Sequence, residues 1–147
     1  MTLTERKTRF EIIFKLKGKT SEEVVNKFNK MKEFMKNNYD KIFKSITTDN
    51  GTEFSDFLNI IKDTKTKIYF CHPYCFGEKG TNERHNGIIR YFIPKSSLIE
   101  NYSYKEMNNY QRKILNYKTP LEALQEEFND KSILNKIYKL QEKINCL

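Results

Sequence analysis

The chain has 147 residues, of which 37% are hydrophobic and 31% charged, and its formal net charge is +8. This length favours one domain, and no stretch approaches the roughly 20 apolar residues that a membrane-spanning helix needs. The three cysteines and the lack of a secretory signal argue against a disulfide framework and predict a cytoplasmic protein. The positive charge favours a nucleic-acid partner, although Lys-rich chains are often basic without any specific partner.

Strands and helices alternate in the first half of the predicted structure, and helices follow. Apolar runs with little helical period predict strands on both sides of a turn at residues 5–7, over 43–48 and over 66–74. Helical spacing and capping signals predict helices over about 20–37, just past 51, over about 82–91, over 104–117 and from 119, with a heptad-like helical tail at 133–147. Residues 75–81 read as a loop. This order predicts the α/β class.

Asp49 and Glu83 are candidate metal ligands. Asp49 ends a predicted strand, and Glu83, after 33 intervening residues, lies in the first turn of the helix that follows the next strand. In an open α/β sheet, ligands gather at the carboxyl ends of the strands. Two carboxylates there suit Mg²⁺ or Mn²⁺, and a pair of these ions supports phosphodiester chemistry. A structural role remains open, since Asp suits a turn and Glu favours a helix N-terminus.

Other polar residues give weaker signals. Asn86 and Arg90 share the helix face of Glu83 and suit DNA phosphate contact, although a solvated helix face has the same pattern. A zinc site is disfavoured because its four candidate ligands do not form two clear pairs; they are Cys71, His72, Cys75 and His85. No Walker motif is present in the sequence.

Seven segments, in order along the chain, resemble the catalytic core of bacterial insertion-sequence transposases. They are TLTERKTRF, LKGKTSEEV, ITTDNGTEF, YFCHPY, EKGTNE, NGIIRYFIPK and NYKTPLEAL. The closest resemblance is to the insertion-sequence thirty family, whose members are DDE enzymes with a ribonuclease H-like fold similar to that of retroviral integrases. The resemblance implies a partial integrase-type core over residues 1–125, with a mixed sheet and flanking helices. It also implies a helical tail over 126–147.

The resemblance also implies a site and a reaction. Three acids of the family bind two divalent metals, Mg²⁺ or Mn²⁺; the second acid matches Asp49 and the third matches Glu83. Family members hydrolyse DNA at element ends and then use the freed 3′-hydroxyl to attack target DNA. The expected partner is therefore DNA, both element ends and target. Asn86, Arg90, Lys95 and Arg112 are the predicted DNA contacts.

Two departures from the family pattern stand out. The first family acid lies on a central strand upstream of the segment that begins here at Thr2, so we expect a truncated core that lacks that strand, folds poorly or self-associates, and is inactive alone. Phe76 and Gly77 stand where the family usually has Ser-Trp. One alternative is an inert remnant that binds DNA or interferes with the full-length transposase. Another is a basic α/β binding module in which both acids are structural.

Overall fold

The computed structural model describes residues 1–72, 76–94, 104–128 and 130–145, with side chains for 1–72, 84–94, 105–128 and 130–140. The chain divides into two compact units. Unit 1 comprises Met1–Lys15 and Lys79–Ile137, and unit 2 comprises Leu16–Glu78 and Tyr138–Leu147. Each unit contains one two-stranded sheet and several helices, so the predicted α/β class is confirmed. The predicted division at residue 125 stays a prediction.

The sheet of unit 1 is a hairpin. Strands β1 (Thr2–Thr4) and β2 (Glu11–Ile13) pair antiparallel, with Leu3 opposite Ile12. The connecting turn is closed by the Glu5 amide, which donates to the Phe10 carbonyl oxygen at 2.8 Å. The two strands predicted around residues 5–7 are therefore confirmed, with the second strand shorter than the apolar run that indicated it.

Unit 2 is built on one amphipathic helix. Helix α1 (Ser21–Met35) begins where the Thr20 hydroxyl accepts a hydrogen bond from the Glu23 amide at 3.3 Å. The Glu23 carboxylate accepts from the Lys17 amide at 3.2 Å. The apolar stripe of α1 is buried, as predicted, through Val24, Phe28, Met31 and Met35. The short helices α2 (Tyr39–Ile42) and α3 (Phe57–Ile60) follow within residues 16–72, together with 3₁₀ helices at Lys36–Asn38 and Thr52–Phe54.

The sheet of unit 2 is parallel. Strands β3 (Ser45–Thr48) and β4 (Lys67–Phe70) pair in register, with Thr48 opposite Phe70. Helix α3 lies between them in the chain, as the sequence predicts. In the core of this unit, the Phe28 and Phe57 rings meet edge to face with centroids 4.8 Å apart.

Two predictions about the later helices were wrong. Helix α4 (Phe76–Phe92) begins at Phe76, so most of the predicted loop over 75–81 is helical; residue 75 lies outside the described residues. Helix α5 (Tyr104–Asn108) ends nine residues before Tyr117, where the pattern predicts its end. The chain turns back instead, since the Arg112 amide donates to the Lys118 carbonyl and the Tyr117 amide donates to the Arg112 carbonyl, both at 3.0 Å.

The last two helices follow their capping signals. Helix α6 (Pro120–Glu127) has a complete capping box: the Thr119 hydroxyl accepts from the Glu122 amide at 3.1 Å, and the Glu122 carboxylate accepts from the Thr119 amide at 2.7 Å. Helix α7 (Lys131–Asn145) is the predicted tail, and its apolar residues Ile133, Ile137 and Leu140 are buried. Within the described residues, no helix combines the length and apolar character that crossing a membrane requires.

Candidate active site

Asp49 lies at the carboxyl end of the parallel sheet of unit 2. It directly follows Thr48, the last residue of β3, and its side chain is half-buried. Its Oδ1 atom accepts a hydrogen bond from the Gly51 amide at 3.1 Å, which closes a short turn. A strand end that presents a carboxylate next to a tight turn is the arrangement that the sequence predicts.

Asn50 forms a hydrogen bond from this turn to the residue after the neighbouring strand. Its Nδ2 atom donates to the Cys71 carbonyl oxygen at 3.0 Å, and the Cys71 amide donates to the Thr48 carbonyl at 2.9 Å. The Asn50 side chain thus forms a hydrogen bond between the turn after β3 and the residue after β4, just beyond the end of the sheet. These two bonds hold the Asp49 backbone against the end of β4.

Gly51 leaves space for two carboxylates. A Cβ atom at this position would lie 2.6 Å from Glu53 Oε2 and 3.0 Å from Asp49 Oδ1. The backbone conformation, φ −63° and ψ 144°, is open to any residue, so the space and not the dihedral favours glycine here. Glu53 is paired with Lys19, whose Nζ lies 3.2 Å from Glu53 Oε1. Asp49 and Glu53 therefore place two carboxylate groups on one side of the turn.

The second predicted ligand lies on α4. The backbone of Glu83 is in the middle of this helix, whereas the sequence places it in the first turn, because α4 begins earlier than predicted. The side chain of Glu83 lies outside the described residues. Asp49 belongs to unit 2 and Glu83 to unit 1, and their pairing around metal ions stays a prediction.

The four predicted DNA contacts differ in their surroundings. Asn86 and Arg90 are exposed on α4. Lys95 lies outside the described residues. Arg112 is only 6% exposed, and its Nη2 atom donates to the Met107 carbonyl oxygen at 3.4 Å, so its guanidinium group faces the interior of unit 1. The assignment of all four residues to DNA contact stays a prediction.

One buried polar pair was not predicted from the sequence. Glu11 on β2 and His85 on α4 make a direct contact between Oε1 and Nδ1, and both side chains are buried. The sequence carried a signal for Glu11, because it is the one acid inside the apolar run from Phe10 to Phe14. A charged residue in a buried strand needs a partner. For His85, the sequence indicates only a disfavoured role as a zinc ligand.

The described side chains form no cluster of metal ligands. No group of three or more His, Cys, Asp or Glu residues lies close enough to hold a metal ion in that part of the chain. Cys71 is buried at the end of β4, and the next residue, His72, is exposed.

Comparison with known proteins relates this chain to transposases. It is 36% identical over 135 residues to the transposase InsI of insertion sequence element IS30C from Escherichia coli strain K12, and the match covers 84% of this chain and 33% of that protein. It is 34% identical over 140 residues to the transposase of element IS4351 from Bacteroides fragilis, with 90% of this chain and 42% of that protein covered.

A third relative is the probable transposase of the insertion-like element IS1161 from Streptococcus salivarius, 36% identical over 127 residues, with 81% of this chain and 34% of that protein covered. The chain therefore spans about a third to two fifths of the length of these curated relatives. No family model matches the chain.

Proposed function

We propose that this chain, a homologue of insertion-sequence transposases of the IS30 type, acts in DNA transposition as part of a ribonuclease H-like catalytic core. The observation that carries the proposal is the position of Asp49. It stands at the carboxyl end of a parallel strand, where its Oδ1 accepts from the Gly51 amide and Asn50 ties the turn to the next strand. The relatives named above, which match across this region, are transposases by name.

The residues of this turn fit a hard divalent cation. Asp49 offers carboxylate oxygen, the ligand type that Mg²⁺ and Mn²⁺ prefer, and the space beside Gly51 is bordered by a second carboxylate, that of Glu53. In the proposed enzyme Asp49 and Glu83 hold the metal. When bound, such ions activate the attacking oxygen and stabilise the leaving oxygen in phosphodiester cleavage and strand transfer.

The chain's own contribution is to hold groups in place. The Gly51 amide fixes one Asp49 oxygen, and the Asn50–Cys71 bond restrains the backbone on which Asp49 is carried. Exposed Asn86 and Arg90 on α4 supply an amide and a guanidinium for phosphate contact, which positions DNA without reading its sequence. The net charge of +8 favours the approach of DNA in general.

The proposed partners are DNA in two forms, the ends of the element and the target. Association with a second copy of the chain or with a full-length transposase is a further part of the proposal, and a cytoplasmic location follows from a DNA substrate in a bacterial setting. The alternative function is that of an inert protein that binds DNA or interferes with an intact transposase.

The test uses the purified chain and a supercoiled plasmid that carries the DNA bordering its gene. If the chain is active by itself, nicking near the element end depends on Mn²⁺, and Asp49→Asn and Glu83→Gln each reduce it to background. The matched control is Asp56→Asn, an exposed acid seven residues after Asp49, which should nick as the parent does. Nicking that survives both ligand substitutions would overturn the assignment of these acids. A folded chain that binds this DNA without nicking it would support the inert alternative.

A further inference from the structure

Glu11 is the most deeply buried acid among the described residues of unit 1. Its side chain is 0% exposed, and the Thr4 hydroxyl lies 2.9 Å from each of its two carboxylate oxygens. His85 Nδ1 contacts the Oε1 atom. Burial of a carboxylate is costly unless hydrogen bonds and a nearby positive charge compensate for lost water. These partners make Glu11 the centre of a built polar site.

Asn108 holds the backbone of the same residue. The Glu11 amide donates to Asn108 Oδ1 at 2.9 Å, and Asn108 Nδ2 donates to the Glu11 carbonyl oxygen at 2.9 Å. The side-chain amide thereby satisfies both backbone groups of Glu11, as a neighbouring strand would. Four elements, β1, β2, α4 and α5, thus meet at one buried residue.

Arg112 contributes charge to this cluster. Burial lowers the pKa of the Arg112 guanidinium, and the negative charge of Glu11 opposes that shift. The guanidinium also lies over the Tyr110 ring, 5.4 Å from its centroid. Unit 1 therefore buries Glu11 together with two basic side chains, those of Arg112 and His85.

From this cluster we propose that Glu11 and His85 are positioning residues for Glu83, a proposal that rests on the proposed function for its catalytic meaning. His85 lies two residues after Glu83 on the same helix. An α-helix moves as a rigid element over a few residues, so a rotation or slip that separated His85 from Glu11 would displace Glu83 equally. The contact fixes α4 against β2, and the same contact fixes the position from which Glu83 acts.

The test measures local stability in the full-length chain by hydrogen exchange and mass spectrometry. In Glu11→Ala and in His85→Ala, we expect the amides of residues 84–92 to exchange about tenfold faster or more, because one partner of a buried pair is lost. Exchange in β3 and β4, which belong to unit 2, should stay unchanged. The control is Glu106→Ala, an exposed acid on α5, which should exchange as the parent does.

A conservative substitution separates positioning from general loss of structure. Glu11→Gln keeps the length of the side chain and an acceptor oxygen, so it should restore at least half of the lost protection on a logarithmic scale. If the alanine variants do not fold, Thr4→Val, which removes only the hydroxyl, gives a milder form of the same test. Exchange that rises evenly over all helices of unit 1, or no change over residues 84–92, would overturn the proposal.

Mn²⁺ binding, measured by electron paramagnetic resonance, distinguishes failure of the positioning role of Glu11 and His85 from failure of the metal assignment in the proposed function. If the parent binds Mn²⁺ in a manner that Glu83→Gln abolishes, Glu11→Ala should weaken that binding at equal folded fraction while Glu106→Ala does not. Unaltered affinity in Glu11→Ala would contradict the positioning role. If the parent shows no Glu83-dependent binding, the metal assignment of the proposed function fails, and the exchange result alone decides whether Glu11 and His85 fix α4.

Discussion

Asn50 Nδ2 donates a hydrogen bond to the carbonyl oxygen of Cys71, 21 residues later, at 3.0 Å. This bond joins the turn after β3 to the residue after β4, and it lies next to the candidate ligand Asp49. Its partner is the backbone carbonyl of the residue that follows Phe70, the last residue of β4. The bond therefore links the stability of the sheet end to the geometry of the candidate active site.

We predict that Asn50→Ala lowers the free energy of unfolding by about 1 kcal/mol, the usual net value of one such hydrogen bond. Urea unfolding followed by circular dichroism measures the change. Asn59→Ala is the control, since Asn59 is an exposed residue of α3. Equal stability of the parent and Asn50→Ala would show that the bond does not constrain the sheet end.

A second prediction concerns the space beside Gly51. In Gly51→Ala the new methyl group meets the Glu53 carboxylate at 2.6 Å, so that side chain, which pairs with Lys19, must shift. Since the far end of a flexible side chain moves easily, we expect a loss of only about 1 kcal/mol in unfolding free energy. The double variant Gly51→Ala with Glu53→Ala removes the clash.

The double-mutant cycle is the measurement. The cost of Gly51→Ala should be smaller in the Glu53→Ala background than in the parent. Additive costs would place the conflict elsewhere, for example with the Asp49 carboxylate, which lies 3.0 Å from the same point.

A third prediction concerns alkaline pH. Burial raises the pKa of Tyr39 to about 12, with the Asp40 charge adding to the shift and the Thr66 hydroxyl opposing it. The Thr66 hydroxyl donates to the Phe43 carbonyl at 2.6 Å, and no partner accepts from Tyr39 Oη among the described residues. The unfolded chain releases this proton near pH 10 while the folded chain keeps it, so the stabilisation is complete below pH 10 and is lost as pH rises through 12.

Substitution of Tyr39 isolates that effect. We expect Tyr39→Phe to be equal to the parent or more stable by about 1 kcal/mol at pH 7, because the buried hydroxyl that is removed has no acceptor among the described residues. Relative to the parent it should gain a further amount on the order of 2 kcal/mol between pH 10 and 12. Tyr69→Phe, at a residue that is 52% exposed, is the control. A stability difference between parent and Tyr39→Phe that does not change with pH would contradict the raised pKa.

A fourth prediction tests the start of α6. Thr119→Ala removes the hydroxyl that accepts from the Glu122 amide and should cost about 1 kcal/mol. The hydrogen bonds from Thr119 lower the pKa of Glu122, so the stabilisation from this carboxylate is present above its ordinary pKa and is lost as pH falls through the lowered value. Thermal unfolding of Thr119→Ala, Thr119→Ser and the parent from pH 7 to pH 3 measures both effects. The serine variant should keep the cap, and a serine variant as unstable as alanine would assign the loss to packing.

Local signals in the sequence predicted the elements that depend on neighbouring residues. The Thr119 cap, the apolar stripe of α1 and the strand that ends before Asp49 all arise from spacing within a few residues, and all are present in the structure. The predicted start of α4 and the predicted end of α5 were wrong. In α5, an apolar pattern continues past Asn108, but Ile114 and Tyr117 are exposed at 60% and 65%, so the pattern there marks no helix face.

The α/β class, the position of Asp49 at a strand end and the similarity to transposases could all be predicted from the linear chain, because periodicity, capping and identity are properties of the chain alone. Contacts between groups far apart in the chain could not be predicted in this way. Glu11 and His85 are 74 residues apart, and Asn108 reaches Glu11 across 97 residues. Such pairs form because a buried carboxylate and buried backbone groups must find partners, and the fold alone determines which partners are within reach.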